Sequence, residues 1–141
     1  MDNKQNLYQV KAVVLGNYAV GKTTFMMTYI DQKPYHESKG TLVWDVQHRN
    51  MENSHGKPTI LVEITDTAGQ EKSNNILSNG IMRSKALSFL IFDLTDKDTF
   101  VVPDSKAKGI EYWYNDYISM YGDLKNTMVL IGNKADLKEK R

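Results

Sequence analysis

The chain has 141 residues, a formal net charge of +1 and no cysteine. That length suits one domain with a buried core. The near-neutral charge gives no long-range field to select nucleic acid or anionic lipid, and the absence of thiols excludes disulfides, thiolate metal sites and cysteine catalysis.

The N-terminal stretch MDNKQNLYQV is polar, and no apolar run approaches the length of a membrane span, so a cytoplasmic protein is expected. Residues 10–15 (VKAVVL) read as a short buried strand. The next eight residues are GNYAVGKT, in which Gly16, Gly21, Lys22 and Thr23 fill the fixed positions of the G-x-x-x-x-G-K-[ST] phosphate-binding loop. In such a loop successive backbone N–H groups turn inward to make a concave anion site, reinforced by the helix N-terminus behind it. Asn17, Tyr18, Ala19, Val20 and Thr24 therefore join the four motif residues as candidates to face phosphate. Lys22 would bridge the outer phosphates, and the Thr23 hydroxyl would ligate magnesium. A glycine-rich turn without a ligand is the plainer alternative, disfavoured because the motif sits at a strand-to-helix junction.

A helix over 23–31 follows, with Phe25, Met26, Tyr29 and Ile30 on its buried side. Residues 32–40, broken by Pro34, read as a long exposed loop. Residues 42–47 and 59–65 are strand-like, and ENSHGKP between them reads as a hairpin connection. The stretch 66–80 is polar and irregular, with room for a weak helix. Residues 87–92 (LSFLIF) form an apolar run ending at Asp93, as a central parallel strand should. A helix is expected over 105–121, where Ile110, Trp113, Tyr117 and Met120 or Tyr121 make an aromatic stripe suited to core packing rather than base stacking. Residues 127–132 (TMVLIG) read as one more buried strand. Strands alternating with helices predict a parallel α/β sheet with ligands at the carboxyl ends of its strands.

Two further polar loops lie at such ends. In Asp66-Thr67-Ala68-Gly69-Gln70-Glu71, the aspartate could hold magnesium through its water shell opposite Thr23. Gly69 would let its N–H approach a terminal phosphate, and Gln70 carries both a donor and an acceptor with which to orient an attacking water. In Asn133-Lys134-Ala135-Asp136, the aspartate can accept two hydrogen bonds side by side, matching the N1–H and amino group of guanine but not adenine. An unpaired buried carboxylate would make the rejection of adenine strong. Taken singly, these motifs could be a turn and a helix cap.

In this order and placement, GNYAVGKT, DTAGQE and NKAD resemble the phosphate, magnesium–water and guanine motifs of the small GTPases of the Ras superfamily, from about Val10 onward. The resemblance implies a P-loop G domain over 1–141: a mostly parallel twisted sheet flanked by helices, binding GTP or GDP with Mg²⁺. It implies that Thr41 ligates the metal and reads the γ-phosphate, so that Gln70, Lys22 and Thr41 carry catalysis and Asn133, Lys134 and Asp136 hold guanine. The segment after Thr41, Leu42-Val43-Trp44-Asp45-Val46, is similar to that of the Rab branch, as are Ile91-Phe92-Asp93-Leu94-Thr95-Asp96 and Arg83. By resemblance, a vesicle-traffic switch is expected, with effectors at its switch loops, an exchange factor and a GTPase-activating protein.

Several positions depart from the family pattern. Tyr18 and Ala19 stand where a small residue and glycine are usual, and Tyr18 is expected to slow stimulated hydrolysis. Val46, Thr65 and about Ile81 replace the Rab aromatic trio, and Lys72 and Ser73 replace a basic–aromatic pair. The sequence ends at Arg141, before the last strand, last helix and prenylatable tail of the family, so an incomplete G domain is expected, with membrane attachment left to such a tail. His36, His48 and His55 have no paired spacing and are not assigned to metal. Glu37, Asp45 and Glu63 read as solvated faces, and the mixed charges of 138–141 are no nucleic-acid patch. Two rival functions remain: a binding-only GTPase-like module, and an ATP-using P-loop enzyme, against which Asp136 argues.

Overall fold

The computed structural model describes residues 8–36, 45–67, 86–101, 109–121 and 126–140. Five strands form one sheet: β1 (Tyr8–Leu15), β2 (Asp45–Glu52), β3 (Pro58–Asp66), β4 (Leu87–Asp93) and β5 (Thr127–Asn133). Two helices flank it, α1 (Lys22–Asp31) and α2 (Ile110–Tyr121). The strand order is β2-β3-β1-β4-β5, with β2 antiparallel to β3 and the other pairings parallel. This is the mostly parallel α/β sheet expected.

The central strand explains itself. Ala12, Val13, Val14 and Leu15 are all fully buried, because alternate side chains enter two different cores. Ala12 and Val14 join Val62, Ile64 and Ile91 beneath Met26 of α1, while Val13 and Leu15 join Leu90 beneath Trp113 and Tyr117 of α2. Each fully buried valine or leucine contributes about 1.5–3 kcal/mol, so β1 anchors both layers. Ile110, Trp113 and Tyr117 of the α2 stripe are core packing, as their spacing predicts; the side chains of Met120 and Tyr121 lie outside the described set.

Three boundaries, and the burial of one strand, differ from the sequence expectation. β1 starts two residues early, at Tyr8, because it pairs with β3 from Tyr8 opposite Ile60 onward. β2 is described over Asp45–Glu52, five residues past its expected end at Gln47, and residues 42–44 lie outside those described; its polar sequence is held by the antiparallel ladder to β3, not by burial. α2 opens at Ile110 after Gly109, and residues 105–108 lie outside those described. β5 was expected to be buried, but among the described residues it pairs only with β4 and Leu130 is 52% exposed. The hairpin connection is found as expected: the Asn53 side chain accepts from the His55 and Lys57 N–H groups.

One contact ties α1 to β2. The Arg49 guanidinium donates to the Tyr29 carbonyl near the end of α1 and lies 5.1 Å from the centre of the Tyr29 ring. The helix thus receives a cation at its negative end, where the last carbonyls lack helical partners. An apolar cavity of about 220 Å³ lies beneath this end of α1, among Val10, Phe25, Ile60 and Leu87. It opens at the start of the parallel strands, away from their carboxyl ends. Among the described residues no helix is long and apolar enough to cross a membrane.

Candidate functional site

The four mutually parallel strands deliver Gly16, Thr67, Asp93 and Asn133 to one edge of the sheet. The loop from Gly16 to Gly21 leaves β1 and enters α1 through positive φ angles at Gly16 (146°), Ala19 (61°) and Gly21 (95°). Such turns aim successive N–H groups into one concavity. No side chain caps the start of α1 and its own first turn has no acidic residue, and helix starts carry partial positive charge.

The two glycines are required by crowding as well as by backbone angle. A β-carbon on Gly16 would lie 2.2 Å from the Ile91 carbonyl oxygen, and one on Gly21 would lie 2.3 Å from the Asn133 amide nitrogen. Lys22 is buried, and its ammonium donates to the carbonyls of Gly16 (2.9 Å) and Asn17 (2.7 Å), bracing the loop from within. Val20 is fully buried in the core, so only its backbone can serve a ligand. Tyr18 is 62% exposed and Ala19 and Thr24 are also exposed. The Asn17 side chain turns to α2, where it accepts the Trp113 indole N–H at 2.7 Å.

The second loop begins at the fully buried Asp66. The Thr23 hydroxyl donates to its carboxylate, so the two expected metal-side residues meet. Thr67 fixes the loop's start by donating its hydroxyl to the Val14 carbonyl at 2.9 Å. Gly69, Gln70 and Thr41 lie outside the described residues, as do Ile81, Lys72, Ser73 and Arg83. The donor set fits Mg²⁺: a hydroxyl and a carboxylate are hard oxygen ligands, and this ion commonly takes one or two protein oxygens together with phosphate and water. Among the described residues no cluster of three or more histidine, cysteine or acidic side chains could hold a metal, so any ion at this edge would depend on such shared coordination.

At the third loop the expected base-holding residues divide their work differently. The Asn133 amide donates to the Val20 carbonyl at 2.8 Å, tying β5 to the phosphate loop. Lys134, at φ 62°, places its ammonium 2.6 Å from the Asp93 carboxylate at the end of β4. Asp136 stands exposed in the following turn. Asp93 lies outside the three loop motifs; in the sequence it is an acid closing an apolar strand, within the Rab-like segment Ile91 to Asp96.

Burial pushes the Asp93 carboxyl upward, but bonds from Lys134 and Thr95 outweigh it and hold the group below its ordinary value of 3.8. A depressed carboxyl pKa contributes stability that is complete above the unfolded value and is lost as pH falls through the folded one. Asp93→Asn should therefore lower stability by about 2 kcal/mol near neutral pH. In paired thermal melts the gap from wild type should close as the buffer is taken down through pH 3.8 and below.

Comparison with known proteins places residues 11–141 under a family model described as the Ras family. The chain is 34% identical over 134 residues to Ras-related protein RABA6b of Arabidopsis thaliana, covering 95% of this chain and 54% of that protein. It is 30% identical over 139 residues to GTP-binding protein YPT1 of Saccharomyces cerevisiae, covering 99% and 62%. Ras-related protein Rab-4 of Dictyostelium discoideum is 32% identical over 135 residues, with 96% and 60% covered. The chain thus spans little more than half the length of the relatives it matches.

Proposed function

The chain belongs to the Ras family as a Rab-like small GTPase, and from that premise we propose that residues 1–141 form a G domain acting as a guanine-nucleotide switch. It binds GTP with Mg²⁺ and hydrolyses it slowly to GDP. The observation that carries this reading is the convergence on one sheet edge of three ties: Lys22 on the loop carbonyls, Thr23 on Asp66, and Asn133 on Val20.

In this reading the loop N–H groups and Lys22 hold the phosphates, and Asp136 reads the guanine edge. Thr23, Asp66 and Thr41 would hold Mg²⁺, which supplies charge neutralisation on the phosphate oxygens. Gln70 orients the attacking water without titrating, and Gly69 offers its N–H to the terminal phosphate. Because the chemistry asks mainly for placement and charge neutralisation, the unassisted rate is low. Loss of the γ-phosphate would release the segments around Thr41 and Gly69, and that release is the switch. Effectors, an exchange factor and a GTPase-activating protein are the expected partners, acting in vesicle traffic at the cytosolic face of endomembranes. Tyr18, 62% exposed, would hinder an activating partner at the loop and slow stimulated hydrolysis.

The nucleotide that co-purifies with the protein, identified by chromatography after denaturation, tests this reading. Predominant GDP is expected. Undegraded GTP would move the conclusion to a binding-only module. ATP, or an empty protein that takes up no added GDP, would overturn it.

A further inference from the structure

The geometry points to Asp93 as the residue that positions the guanine end of the site, acting through Lys134; this rests on the nucleotide reading above. None of the three loop motifs contains it. Asp93 closes β4 directly opposite Asn133 on β5, and only 6% of the residue is exposed. Both carboxylate oxygens are engaged. Oδ1 accepts from the Thr95 N–H at 2.8 Å and the Thr95 hydroxyl at 2.7 Å, while Oδ2 meets the Lys134 ammonium at 2.6 Å. The surrounding backbone is fastened too: the Asp93 N–H donates to the Thr99 hydroxyl at 2.8 Å, and the Leu94 N–H donates to the Asn133 carbonyl at 3.1 Å. The carboxylate therefore presents a fixed point to which Lys134 is drawn.

What that point controls is the backbone. Lys134 sits at φ 62°, a left-handed conformation disfavoured for any residue with a β-carbon. The residue before it, Asn133, holds the Val20 carbonyl of the phosphate loop at 2.8 Å. Two residues beyond it, Asp136 occupies the turn, whose Leu137 N–H donates back to the Lys134 carbonyl at 3.1 Å. If the charge on Asp93 is removed, the ion pair that favours this conformation is lost. Relaxation at Lys134 then turns the chain on both sides, loosening Asn133 from the phosphate loop and displacing Asp136. One buried carboxylate thus governs the hold on both the phosphate and base ends of the nucleotide. Its role is positioning, not contact.

The test is the release rate of a fluorescent N-methylanthraniloyl-GDP from the wild type, Asp93→Asn, Lys134→Met and the double variant. Asparagine keeps the size of the side chain and an acceptor for Thr95. Each single change is expected to speed release about tenfold, and the double variant to release no faster than the faster single variant, because the two residues act as one unit. Unchanged release from Asp93→Asn would overturn the inference. So would an acceleration as large in the Lys134→Met background as in the native one, which is what general loosening of the fold would produce. Should Asp93→Asn fail to fold, Thr95→Ala leaves the charge and the backbone N–H bond and removes the hydroxyl bond that orients it. It should speed release a few-fold with Lys134 present and not at all without it. A wild type that binds no GDP would instead fail the nucleotide reading itself, and is told apart by that.

Discussion

Gly16→Ala is expected to lower the unfolding free energy by about 3–5 kcal/mol, combining backbone strain with overpacking against a neighbour that cannot yield. The φ of 146° at Gly16 is one that a side chain rarely permits, and the added carbon would lie 2.2 Å from the Ile91 carbonyl oxygen. That oxygen belongs to the backbone of β4, a strand hydrogen-bonded on both sides, so the loop and not the sheet must move. Movement at Gly16 drags away one of the two carbonyls that hold Lys22. Chemical denaturation of the variant beside wild type checks the stability loss, and nucleotide binding should vanish with it. Gly21→Ala should be milder, because its β-carbon would meet the flexible Asn133 side chain instead of main chain.

Lys22→Met is expected to separate binding from folding. Methionine retains the buried stem of a side chain only 6% exposed while removing the charge and the bonds to Gly16 and Asn17. Losing those bonds is offset in part because an ammonium is no longer buried, and in the proposed site the cation also serves the phosphates. A fall in GDP and GTP affinity of about a hundredfold to a thousandfold should result. The melting temperature without nucleotide should drop by only a few degrees. Fluorescent nucleotide titration and a thermal melt on one preparation measure both. A variant that binds as tightly as wild type would remove Lys22 from the phosphate site.

The phosphate loop was legible in the sequence because its requirement is local. Gly16 and Gly21 answer to backbone angles and close approaches within a few residues, so spacing alone conveys them. The apolar runs of β1 and β4 were legible for a related reason: burial on both faces forces continuous hydrophobicity. The far end of β2, from His48 to Glu52, went unread because a strand held by its ladder partner carries no burial signal in its polar residues. Among the described residues β5 pairs only with β4, so Leu130 is exposed despite an apolar sequence. Asn133 and Lys134 were grouped by motif with the expected base-holding residues, but their spacing could not say that one side chain grips Val20 and the other Asp93. Those partners are distant in the chain and meet only when parallel strands end side by side. Asp93 went unassigned because an acid at a strand end looks the same whether it stops the strand or clasps a neighbour.

The grip of Arg49 on Tyr29 closes about twenty residues of chain, Thr41 among them, into a ring whose ends are already joined. The entropy of bringing those ends together is spent once, by the sheet and helix. It grows only logarithmically with the size of the ring, so doubling the number of residues would cost about 0.6 kcal/mol. Added length between α1 and β2 therefore carries little closure cost. Extra residues inserted there should leave the melting transition almost unmoved while changing what the ring presents to a partner.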